Sequence, residues 1–175
     1  MSSKKEAQFL SVLKKSFEEI GVYSCKIPDT IPSPQHRFIK RKPFDMVCCM
    51  NGKFVAIEAK YSENLKPIGE KELLRKNKEG ELVYEDSQMD HLLRINRGGG
   101  TSFIFYNVRI KANKEKGIKQ ENRVYIFEPN EFIYARFLKK DLAERRYLLI
   151  KKGRILNMEE MILGLVKIDF PRCTV

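Results

Sequence analysis

Two strand-like runs, 44–50 and 53–60, meet at Asn51-Gly52. Asn-Gly is the favoured pair for a two-residue type I′ hairpin turn, because both central positions take positive φ. A two-residue turn fixes the register. Met50 then pairs with Lys53, and counting outward sets Asp45 opposite Glu58, with Cβ atoms about 5 Å apart. Lys60, two residues beyond Glu58, shares that face. The same face carries Val47, Cys49, Phe54 and Ala56. Two like charges opposed on a half-apolar surface are destabilising, so something must offset them. A divalent cation between the carboxylates would do so, since hard oxygen ligands suit Mg²⁺ or Mn²⁺. Lys60 would then stabilise charge on an attacking water or on a phosphate. The competing reading is a surface patch in which the acids pair loosely with Lys60 and do nothing more. A strand bulge would also break the register.

Around this hairpin the spacing predicts a mixed α/β chain. Leu10, Leu13, Phe17 and Ile20 recur at helical intervals, giving a helix over Lys4 to Ile20 that Gly21 stops. Val22 to Ile27 reads as a short strand. Residues 28–43 hold four prolines with His36, Arg37, Lys40, Arg41 and Lys42, a basic extended connection. The polar stretch 65–81 reads as an insertion or mobile loop. Asp86 or Ser87 can cap a helix ending at Arg97, where Gly98-Gly99-Gly100 follows. Ser102 to Ile110 and Arg123 to Glu128 read as buried strands. A helix is expected from Asn130 to about Arg145, a strand at Tyr147 to Lys151 and a last short helix at Asn157 to Leu165. This order predicts a mixed β-sheet with flanking helices.

The chain's 175 residues suit one domain. No apolar run is long enough to cross a membrane, and the N-terminus lacks the apolar stretch of a secretory signal. The four cysteines, Cys25, Cys48, Cys49 and Cys173, form no CxxC pair, so neither a zinc ligand set nor a disulfide framework is expected. Reduced thiols fit a cytoplasmic, nucleoid or phage-encoded protein. The net charge of +11, from 34 Lys+Arg against 23 Asp+Glu, favours a polyanion over an acidic protein partner or a neutral small substrate.

Pro43-Phe44-Asp45, followed after twelve intervening residues by Glu58-Ala59-Lys60, resembles the PD-(D/E)XK nuclease signature. The resemblance implies a restriction-endonuclease-like fold and Mg²⁺-dependent phosphodiester hydrolysis leaving a 5′-phosphate. It gives Asp45, Glu58 and the Ala59 carbonyl the metal and gives Lys60 an assisting role. Two further positions are similar to Holliday junction resolvases of the archaeal Hjc and bacterial RecU types. Glu6 matches a metal-site glutamate near the start of their first helix, although an acid there also complements the helix dipole. Gln88, three residues before His91 on the helix after the hairpin, is similar to the RecU type and would position water or phosphate. The competing reading of Gln88 is a helix residue making local hydrogen bonds, and His91 reads better as a cap or packing residue.

The resemblance covers roughly residues 4 to 128, leaving a C-terminal extension from about 129. It departs in a shorter connection before Asp45 and a longer 65–81 segment, both where junction geometry is read. DNA is thus the expected partner, in branched four-way form. Candidate phosphate contacts are Arg37, Lys40, Arg41 and Lys42, with Lys111, Lys114, Lys116 and Lys119 in the later loop, although charge runs are commonly solvated faces. A two-fold homodimer fits a two-fold junction; Phe132, Ile133, Phe137 and Leu138 are interface or core. The competing functions are a restriction-like or repair endonuclease on duplex or flapped DNA, a non-catalytic DNA-binding module, and a basic protein-interaction domain.

Overall fold

The computed structural model describes residues 4–28, 42–50, 52–113, 115, 117, 119–133, 136–158 and 160. It begins with α1 (Lys4–Glu19), β1 (Ser24–Lys26), β2 (Met46–Met50) and β3 (Lys53–Glu63). Three short strands follow, β4 (Ile68–Gly69), β5 (Arg75–Lys76) and β6 (Leu82–Val83), with a 3₁₀ turn at Glu70–Glu72. Then come α2 (Gln88–Arg97), β7 (Thr101–Ile110) and β8 (Glu121–Phe127). The remaining elements are α3 (Asn130–Ile133), β9 (Arg136–Phe137), α4 (Lys139–Glu144), β10 (Leu148–Lys151) and β11 (Arg154–Ile155).

Among the described residues seven strands form one sheet in the order β1-β2-β3-β7-β8-β10-β11. Among the described residues only β3 and β7 pair in parallel; the other pairs in this sheet run antiparallel. That pair needs a crossover, and α2 lies in the connecting segment. The mixed α/β sheet expected from the sequence is therefore present. Each face carries its own core. On one side, Leu10, Leu13 and Phe17 of α1 pack with Met46, Val55, Ile57, Phe103 and Phe105. On the other, Met89 and Leu92 of α2 pack with Ala56, Ile104, Tyr106, Tyr125 and Phe127. Burying both faces explains why β7 reads as a nearly unbroken apolar run. Buried Ser16 ties α1 to the far edge: its hydroxyl donates to Val12 O and accepts from Ile155 N at 2.9 Å.

The hairpin register is the expected one, Met50↔Lys53 through Met46↔Ile57, with Gly52 at φ 72° in the turn. Ser87 caps α2, its hydroxyl accepting from Asp90 N, and Gly98 follows the helix.

The expected helix from Asn130 to Arg145 is broken into α3, β9 and α4. Tertiary pairing overrides helical spacing here. Ile68↔Phe137 and Gly69↔Arg136 pair β4 with β9, and the Phe137 ring lies 4.8 Å from that of Phe127. Arg145 then bridges back to Glu131 at 2.7 Å and lies over the Phe127 ring. Phe137 packs against the second core and Leu138 is exposed. The 65–81 segment is anchored by Ile68 and Leu73, both buried, and by the β5–β6 pairing. Of the final expected helix, Asn157 is a turn residue at φ 55°, Met158 and Glu160 are helical, and 159 and 161–165 lie outside the described residues.

Candidate functional site

Asp45 sits one residue before β2 and is held from both sides by backbone bonds. Ile27 N donates to its carbonyl at 2.9 Å, and its own N–H donates to Ile57 O at 3.0 Å. The latter bond is one residue out of step with the β2–β3 ladder, the mark of a bulge. The strict Asp45–Glu58 opposition expected from the turn is thus offset at its last step. The slip re-aims the carboxylate: Asp45 Oδ2 accepts from Ala59 N at 2.9 Å, and Oδ1 pairs with Lys42 Nζ at 2.6 Å.

Glu58 belongs to β3 and is 1% exposed. Its Oε1 pairs with Lys60 Nζ at 2.8 Å. Its Oε2 is buried and has no hydrogen-bond partner among the described residues. Lys60 Nζ also donates to Gln88 Oε1 at 2.8 Å. Gln88 opens α2, which Met89 and Leu92 anchor in the core, so capping by Ser87 places this contact. Tyr106 stands beside Lys60 in the β3–β7 register and donates its hydroxyl to Lys66 O at 3.5 Å.

Burial pushes the Glu58 carboxyl up from 4.5 to about 7; Lys60 opposes the rise and Asp45 adds to it. Burial by itself would lower the Lys60 ammonium, but Glu58 outweighs it, with smaller help from Glu6 and Asp45, and raises its pKa. Lys60 therefore stays charged at neutral pH, and Glu58 is poised between two states. Glu6, half-buried on α1, acts on this ammonium through space.

The structure thus brings together Asp45, Glu58, Ala59, Lys60 and Gln88, with Glu6 within electrostatic reach. Lys42, which the sequence placed among phosphate contacts, sits on Asp45, its side chain 15% exposed. Lys111 pairs with Glu63 at 2.9 Å, and Glu63 also holds Lys5. Lys119 is exposed. Arg37, Lys40, Arg41, Lys114 and Lys116 lie outside the described residues, as do the side chains of Phe132 and Ile133.

No group of three or more His, Cys, Asp or Glu side chains among the described residues could hold a metal ion by itself. Two carboxylates and a carbonyl nevertheless fit Mg²⁺, which keeps several waters and takes one or two protein carboxylates beside substrate phosphate. The partnerless Glu58 Oε2 is the donor most suited to such an ion. No helix among the described residues is long and apolar enough to cross a membrane.

No protein-family model and no curated protein matches the chain. Among solved structures it is similar to the 1.6 Å structure of Archaeoglobus fulgidus Hjc, a Holliday junction resolvase from an archaeal hyperthermophile. The TM-score is 0.42 at 16% identity, covering 84% of this chain and 88% of that one.

Proposed function

We propose that this chain is a Mg²⁺-dependent endodeoxyribonuclease of the PD-(D/E)XK kind, with a four-way junction as preferred substrate. The observation that carries the reading is the buried Asp45–Glu58–Lys60 cluster, in which one carboxylate oxygen, Glu58 Oε2, has no partner among the described residues. Asp45, Glu58 and the Ala59 carbonyl would hold the cation, with Glu6 contributing directly or through water. When bound, a divalent cation supplies Lewis-acid chemistry to the phosphodiester and to water.

The chain's own groups do the rest. Lys60 acts as a fixed charged donor to a phosphate oxygen or to the nucleophile, because Glu58 keeps it protonated. A lysine in that state does not serve as the general base. Gln88 shares the ammonium with Glu58 and so fixes its direction. Hydrolysis adds water across the bond from phosphorus to the 3′ oxygen, leaving a 5′-phosphate and a 3′-hydroxyl. The basic balance of +11 favours the polyanion. A two-fold homodimer would set two such sites on the two symmetric strands of a junction. The proposed setting is the cytoplasm, where DNA lies open to it.

The test is cleavage of a mobile-core four-way junction against a linear duplex of matched sequence, with Mg²⁺ and with EDTA. Paired symmetric nicks on the junction, lost in EDTA and in Asp45→Asn, are expected. Equal cutting of both substrates would assign a duplex endonuclease instead, and wild-type nicking by Asp45→Asn would defeat the site assignment.

A further inference from the structure

The hydrolysis described above leaves Lys42 without a part. Its ammonium lies 2.6 Å from Asp45 Oδ1, and its side chain is mostly buried. It is also near enough to Glu58 to act on that carboxylate electrostatically. Lys60 lies 2.8 Å from Glu58. Each of the two acids meant for the cation is therefore already in contact with an ammonium group.

A dication entering this site meets both ammoniums at close range, and like charges in a partly dry site repel strongly. The two lysines are held by different parts of the fold. Lys60 is built into β3 and tied by both Glu58 and Gln88. Lys42 lies outside β2, three residues ahead of Asp45. A DNA phosphate is the natural acceptor for a displaced ammonium, since Lys binds phosphate as a point charge.

We infer that Lys42 is an exchangeable counter-ion of Asp45, given up to a DNA phosphate as the divalent cation takes its place, so that cation and DNA bind cooperatively. This rests on the metal-dependent reading above and adds the coupling between its two ligands. Coupling is reciprocal: the cation tightens DNA binding by the factor by which DNA tightens cation binding.

The experiment measures Mn²⁺ binding to the full chain without DNA, from the electron paramagnetic resonance signal of free Mn²⁺. It compares wild type with Lys42→Met, Lys42→Gln and the exposed control Lys53→Met, each checked for folding by circular dichroism. Both Lys42 variants are expected to bind Mn²⁺ at least about tenfold more tightly than wild type, about 1.4 kcal/mol. Lys53→Met should match wild type. Fluorescence anisotropy of a labelled duplex in Ca²⁺ and in EDTA then gives the coupling, expected to be smaller in both Lys42 variants. Equal or weaker Mn²⁺ binding by the Lys42 variants, with binding lost in Asp45→Asn, overturns the exchange while leaving the metal site standing. No Mn²⁺ binding by any form, with or without DNA, overturns the metal-dependent reading as well.

Discussion

Glu58 should make the metal-free protein less stable as pH rises through neutrality. Burial raises its pKa from 4.5 to about 7 in the folded chain. A raised folded pKa means that folding favours the protonated acid. The associated stability is fully present below about pH 4.5 and is lost as pH climbs through about 7. At about 1.4 kcal/mol per pH unit, the whole effect is about 3 kcal/mol, of which about 2 kcal/mol falls between roughly pH 5 and pH 7.5. Glu58→Gln isolates it, because Gln retains the size and can still accept from Lys60. Urea unfolding in EDTA at the two pH values gives the comparison. The stability of wild type relative to Glu58→Gln should drop by about 2 kcal/mol on going to the higher pH. Mg²⁺ should restore wild type at pH 7.5 far more than at pH 5, because it binds the ionised acid. Parallel profiles for the two proteins would refute the burial argument.

Gln88→Leu should lower cleavage by about 10- to 100-fold while costing only about 1 kcal/mol of stability, because Lys60 keeps Glu58 but loses its second acceptor; a rate assay with urea unfolding separates the two effects. Leu13→Ala, at a fully buried position on α1, should cost about 2–5 kcal/mol by denaturant unfolding. Ser87→Ala removes the α2 cap and should cost about 1 kcal/mol, with a further loss of activity because α2 carries Gln88. DNA affinity should fall steeply between low and physiological salt, as phosphate contacts require, and fluorescence anisotropy would show it.

The central hairpin was legible because a two-residue Asn-Gly turn leaves no freedom in register, and every pair from Met50↔Lys53 to Met46↔Ile57 followed. The same logic failed at Asp45, where the bulge shows in the backbone bond from Asp45 N to Ile57 O, which strand alternation does not encode. The α2 ends were readable from Ser87 and Gly98, since caps are local chemistry. The broken helix after Asn130 was not, because its cause is pairing with β4, sixty-odd residues earlier in the chain. Gln88 could be aimed at the site from its helical stripe, whereas the Lys42 contact depends on how the chain enters β2. Lys42 read as one more member of a basic run, and nothing in a charge run marks which lysine turns inward.

The most direct test of the proposed metal site is anomalous scattering from Mn²⁺ in crystals of the chain bound to DNA. A peak within coordinating distance of Asp45, Glu58 Oε2 and the Ala59 carbonyl, beside a backbone phosphate, is the predicted result. An ion held elsewhere, or a DNA complex that cuts in Mn²⁺ while Asp45 and Glu58 bind none, would contradict it.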